Sequence, residues 1–197
     1  MSENTIAENR PGSPLVGAED GMGLQKSRKE PDPGFQKDTD AAGFERLRGV
    51  IARLRAPDGC PWDRAQTHES LKPACMEEAA EVVCGINILR DTGNPENLKE
   101  ELGDLLMQVM IHAQIAEEEG LFTIDDVIRG LTDKMIRRHP HVFGGEKAGG
   151  PEAMKKSWEE IKQREKAGKE WMEDYLPEAM LEAKNLIDQA RARKGYN

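Results

Sequence analysis

Two short acidic motifs hold the side chains most able to do chemistry: Glu77-Glu78-x-x-Glu81 and, twenty residues further on, Glu101-x-x-Asp104. An α-helix turns about 100° per residue, so carboxylates three apart leave the same face one turn along. Glu78 and Glu81 therefore project together on one helix, and Glu101 and Asp104 on another. Apolar neighbours flank both pairs: Ala79, Ala80, Val82 and Val83 on the first, Leu102, Leu105 and Leu106 on the second. Carboxylates drawn partly out of water and facing one another repel, and they need a counter-charge or must take up protons. A hard divalent cation meets that need. All-oxygen ligation without a nearby Cys or His favours Mg²⁺, with Mn²⁺ the second choice, over Zn²⁺, and Mg²⁺ keeps coordination positions for water and phosphate oxygens. A di-iron carboxylate bundle shares this geometry but uses Glu-x-x-His. None of the four histidines has a glutamate three residues before it. Against the metal reading stands the ordinary one, that Glu and Asp at this spacing form a solvated helix face.

The motifs meet only if a turn folds their helices together. Thr92-Gly93-Asn94-Pro95 supplies it: a glycine suited to a helix end, an asparagine cap, and a proline at the favoured first helical position. Glu81 lies about ten residues before this turn and Glu101 about seven after it. At 1.5 Å per residue the two depths differ by roughly 5 Å, one helical turn. The helix before the turn is predicted from an N-cap at Thr67 to about Asp91, with a late start or kink at Pro73. Its apolar stripe runs through Leu71, Cys75, Ala79, Val82, Val83, Ile86 and Leu89. The helix after it reaches about Glu119, with Leu98, Leu102, Leu105, Leu106, Val109, Met110 and Ala113 facing inward.

Around this pair the chain reads as helical throughout. Leu47, Val50, Ile51 and Leu54 mark a first amphipathic helix, ended by a loop holding Gly59-Cys60-Pro61-Trp62-Asp63. Thr123-Ile-Asp-Asp126 approximates a capping box for a helix to about Arg138, stopped at His139-Pro140. Gly144 to Gly150 forms a flexible joint, and helices over about 151–167 and 177–194 follow. The expected fold is all-α, a helix bundle with a central antiparallel pair. Residues 1–42, rich in Gly, Pro, Ser and charge, are expected to be a disordered tail, leaving 43–197 as one folded domain.

Composition narrows the partners. Twenty-eight basic against thirty-seven acidic side chains give a net charge of −9. Such a chain repels nucleic acid and anionic membrane surfaces, and a polyanionic substrate must arrive with cations. Three cysteines without CxxC spacing read as reduced thiols, and no apolar run approaches the roughly 20 residues of a membrane span. A cytoplasmic location is expected.

Five segments, in order, resemble the MazG family of nucleotide pyrophosphohydrolases. They are Gly59-Cys-Pro-Trp-Asp-Arg-Ala-Gln-Thr67, Met76-Glu-Glu-Ala-Ala-Glu-Val82, Glu100-Glu-Leu-Gly-Asp-Leu-Leu106, Arg137-Arg-His-Pro-His-Val-Phe143 and Ser157-Trp-Glu-Glu-Ile-Lys162. The resemblance implies an all-α nucleoside triphosphate (NTP) pyrophosphohydrolase that uses Mg²⁺ to cleave NTPs to monophosphate and pyrophosphate, with nucleotide-pool housecleaning as its purpose. It assigns Glu78, Glu81, Glu101 and Asp104 to the metal and Glu77 to a supporting or water-positioning role, leaving the general base open between Glu77 and Glu81. It matches Lys134 and Arg138, with Arg137 beside them, to phosphate contacts, and Trp158 to an aromatic beside the nucleotide. Longer family members carry two tandem modules, whereas this chain resembles one. Related all-α pyrophosphohydrolases complete their sites between subunits, so a homodimer is expected. Two other functions fit the same residues: a non-catalytic helical module binding a protein or nucleotide, and a narrow hydrolase such as one for phosphoribosyl-ATP.

Overall fold

A computed structural model describes residues 43–145 and 149–196. The predicted tail at 1–42 lies outside the described residues, as does the centre of the Gly144–Gly150 joint. Eight α-helices and one 3₁₀ turn follow one another without a strand among the described residues. They are α1 (Gly43–Arg55), α2 (Pro61–Arg64), α3 (Lys72–Thr92), α4 (Glu96–Glu118), α5 (Ile124–Arg138), α6 (Pro140–Phe143), α7 (Pro151–Lys166), the 3₁₀ turn Glu170–Asp174, and α8 (Leu176–Arg193). The all-α expectation is met.

The long helices α3 and α4 form the central hairpin. Gly93, at φ 73°, ends α3 in the left-handed conformation that glycine adopts without steric cost. Asn94 accepts a hydrogen bond from the Glu96 N–H at 3.0 Å just ahead of α4, whose N-cap is Pro95, one residue later than the expected Asn94 cap. The helices approach closely at buried Gly85, where an added Cβ would lie 2.8 Å from Leu98 Cα. A side chain there would hold the pair apart.

Helix α3 starts later than its Thr67 cap predicts. Thr67 Oγ1 accepts from the Ser70 N–H at 3.1 Å and closes a turn, and α3 begins at Lys72 with Pro73 in its first turn. Proline lacks an N–H and is tolerated only where the helix has no donor to lose. The capping box of α5 forms as expected: Thr123 Oγ1 accepts from the Asp126 N–H, and Asp126 accepts from the Thr123 N–H at 3.0 Å.

The core lies toward one end of the hairpin. Met110, Ile111, Ala113 and Ile115 of α4 pack with Ile51 of α1, Leu71 before α3, and Ile124 of α5, with Phe44 and Leu47 against them. Helix α8 packs along α3, from Lys72, which pairs with Glu182, past Glu77 and Glu81, and buries Ala190. This arrangement overturns part of the predicted inward stripe. Val83, Ile86, Leu102, Leu106 and Val109 are exposed, Val83 by 57% and Leu102 by 51%. Helix periodicity identifies an apolar face, but covering it takes another element, and none of the described helices does so.

Candidate metal and nucleotide site

Glu78, Glu101 and Asp104 converge across the hairpin, each offering a carboxylate oxygen within 4.8 Å of the others. The close approach at Gly85 brings Glu78 of α3 over the Glu101–Asp104 face of α4. Glu101 is further fixed by Asn97, whose Nδ2 donates to it at 2.9 Å from one turn earlier. Burial, then the charges of Glu81, Asp104, Glu101 and Glu77, push the Glu78 carboxyl above its ordinary range. An acid in that position is relieved by a proton or a cation. Three oxygens from carboxylates alone suit a hard divalent ion, so the residues fit Mg²⁺ or Mn²⁺.

The other two predicted acids face α8. Glu81 is ion-paired with Lys194, and Glu77 with Arg193, with Lys194 Nζ also 3.7 Å from Glu77. Glu81 thus lies outside the converged trio, although its charge acts on Glu78. Hydrogen bonding to Glu81, and the charges of Glu81 and Glu77, raise the Lys194 pKa. Asn97 and the α8 cations escaped the sequence reading. Their only signal was a basic helix end, Arg191-Ala-Arg193-Lys194, of a kind that any helix C-terminus favours.

The predicted phosphate and base contacts form a separate cluster where α5 meets α7. Arg137 and Arg138 both donate to Glu165, at 2.7 Å and 2.6 Å. Arg138, helped by Arg137, holds that carboxyl below the ordinary range. Arg138 lies over the Trp158 ring at 5.0 Å, and His139 meets the same ring edge-on, with its Nδ1 2.6 Å from the Met135 carbonyl. Lys134 is exposed on α5. No hydrogen bond or ion pair links this cluster to the trio among the described residues. A second unforeseen feature is the stacked pair His68 and His112, with Nδ1 atoms 2.8 Å apart.

The all-helical fold with paired acids on a central hairpin has relatives among known proteins. Residues 66–143 match the model of the MazG nucleotide pyrophosphohydrolase domain. By that domain the chain belongs to the MazG family. The nucleoside triphosphate pyrophosphohydrolase/pyrophosphatase MazG of Thermotoga maritima is 54% identical over 126 residues, covering 64% of this chain and 46% of its own length. The nucleoside triphosphate pyrophosphohydrolase of Escherichia coli K12 is 43% identical over 127 residues, 64% of this chain and 47% of its own. A crystal structure of a mazG-related protein from Thermotoga maritima, 30% identical, covers 60% of this chain and 98% of its own with a TM-score of 0.49. The chain spans about half the length of the curated relatives just named.

Proposed function

We propose that this protein hydrolyses nucleoside triphosphates to nucleoside monophosphate and pyrophosphate, using Mg²⁺ (Mn²⁺ as a substitute) held by Glu78, Glu81, Glu101 and Asp104. The observation that carries the reading is the convergence of Glu78, Glu101 and Asp104 oxygens from two helices within 4.8 Å. A divalent ion there would neutralise triphosphate charge and lower the pKa of the attacking water. Asn97 orients Glu101 by its hydrogen bond. Glu81, one turn along from Glu78 and paired with Lys194, would join the ligand set if it gave up that partner. Glu77, ion-paired with Arg193, supports the ligands or positions the water that attacks the α-phosphorus, and the general base that takes its proton is Glu77 or Glu81.

Lys134, Arg137, Arg138 and Trp158 we assign to the outer phosphates and the base, as the family pattern suggests. Using the two arginines requires the triphosphate to displace Glu165, a carboxylate exchanged for a phosphate of higher charge. The exposed stripe of Leu102, Leu106 and Val109, spaced as one helix face, supports a homodimer in which a second copy covers it. No helix among the described residues is long and apolar enough to cross a membrane, which accords with a cytoplasmic enzyme clearing the nucleotide pool.

The test is the purified full chain with Mg²⁺ and a panel of nucleoside triphosphates, scoring pyrophosphate against orthophosphate. Pyrophosphate is the expected first product, lost by more than 100-fold in Glu78→Gln while circular dichroism keeps its helical signal. Absence of turnover across the panel, or orthophosphate as first product, overturns the reading. Nucleotide binding without hydrolysis, unchanged in Glu78→Gln, would instead mark a regulatory binding module.

A further inference from the structure

The groove between α3 and α8 is lined in part by Glu101, a residue it shares with the metal trio. It encloses about 300 Å³, the lower end of the range for small-molecule sites. Its walls are of two kinds. Met76, Cys84, Ile88 and Ile187 are apolar, and Glu77, Glu81 and Glu101 on one side face Arg191 and Lys194 on the other. Tyr196 stands at its edge.

Two facts about the cations call for an account. In a chain with net charge −9, α8 brings basic side chains to within ion-pair reach of the acids beside the metal site. Those contacts span more than a hundred residues of sequence, so they are a product of the fold rather than of helix spacing. Lys194 holds Glu81, the acid that the proposed ligand set requires. If a divalent ion took Glu81, the ammonium of Lys194 would keep only its longer 3.7 Å contact to Glu77, in a groove that also holds Arg191. A triphosphate oxygen is the ligand such a pair would next accept, because phosphate carries more charge per acceptor than a single carboxylate.

We propose that the α3–α8 groove is a further subsite for the same nucleotide, in which Arg191 and Lys194 bind phosphate oxygens beside the metal and the apolar wall receives the sugar, with the base left to Trp158 and the outer phosphates to Lys134, Arg137 and Arg138. Lys194 then has two successive roles, as counter-ion to Glu81 before the metal binds and as phosphate ligand afterwards. The inference rests on the pyrophosphohydrolase reading and adds where the substrate lies.

The experiment uses calorimetry on the full chain with Mg²⁺ and a non-hydrolysable α,β-methylene nucleoside triphosphate, alongside Mn²⁺ binding alone followed by electron paramagnetic resonance. Arg191→Ala and Lys194→Met should each weaken the analogue at least tenfold. Ile187→Trp, which fills the apolar wall, should weaken it as much without touching a charge. Mn²⁺ alone should bind Lys194→Met as tightly as wild type or more tightly, because its competitor for Glu81 is gone. Analogue affinity within twofold of wild type in all three variants overturns the subsite, while turnover by the wild-type chain would leave the hydrolase reading standing. Parallel loss of Mn²⁺ and analogue in Lys194→Met reduces that lysine to a structural tie and also overturns it. A wild-type chain that neither turns over nucleotides nor binds the analogue defeats both readings together.

Discussion

Arg55 shows how one side chain can fasten a loop and a helix at once. Only 7% of its side chain is exposed, and it donates to the Asp63 and Gln66 carbonyls and, at 2.7 Å, to Glu118. The loop with Trp62 is thereby tied to the end of α4. Arg55 holds the Glu118 carboxyl below its ordinary range, with Gln114 adding a hydrogen bond. The folded state therefore releases the Glu118 proton more readily than the unfolded chain. The stabilisation is full above the ordinary glutamate range and is lost as pH falls through the depressed folded value. Glu118→Gln should lower stability at neutral pH by about 1 kcal/mol or less, since the carboxylate is 37% exposed and screened. Melting curves of wild type and variant should converge as pH falls below the ordinary glutamate range and through the depressed folded value, and a constant gap throughout would refute the assignment. Of the acids at the candidate site, Glu78, Glu101 and Asp104 were legible because three-residue spacing on a helix is a local rule. Glu81 and Glu77 were legible as acids but not as partners of α8, because a contact over more than a hundred residues leaves no periodic trace.

At the level of the elements, the hairpin depends on the missing side chain at Gly85. An alanine Cβ would meet Leu98 Cα at 2.8 Å and Leu98 N at 3.0 Å, and both are backbone atoms that cannot rotate aside. Separating packed helices costs about 1–3 kcal/mol, against a gain of roughly 1 kcal/mol from alanine's helix propensity. Gly85→Ala should therefore lose on the order of 1 kcal/mol in urea unfolding and weaken Mn²⁺ binding as the two ligand faces move apart. Gly130→Ala in α5, where nothing lies within 4 Å of the added carbon, should gain up to about 1 kcal/mol instead. Equal responses at the two sites would show that the close crossing does not govern the hairpin. The turn at Gly93-Asn94 and the cap at Thr123 could be read beforehand because both are short-range hydrogen-bonding devices. The start of α3 was misplaced to Thr67 because a threonine that closes a turn and one that caps a helix present the same residue type.

For the molecule as a whole, the exposed stripe on α4 is the largest departure from the expected packing. Leu102 at 51% and Val109 at 43% were assigned to the interior because periodicity marks them apolar. The apolar face is present, but none of the described helices covers it. If a second copy supplies that cover, light scattering should give twice the 22.0 kDa chain mass, and Leu102→Glu with Leu106→Glu should give monomers that keep their helicity. A monomeric wild type at micromolar concentration would exclude the dimer. The acids of the candidate site all come from residues 77 to 104, while the side chains balancing two of them sit at 193 and 194. The hairpin can form from neighbouring sequence early and quickly, whereas α8 must close a far longer loop before its charges arrive. The repulsion among the acids is therefore met in stages, and the last stage is the easiest to undo. A helix tied to the rest in part by exposed ion pairs can peel back while the core around Met110 stays shut, so high salt should loosen α8 before it unfolds that core.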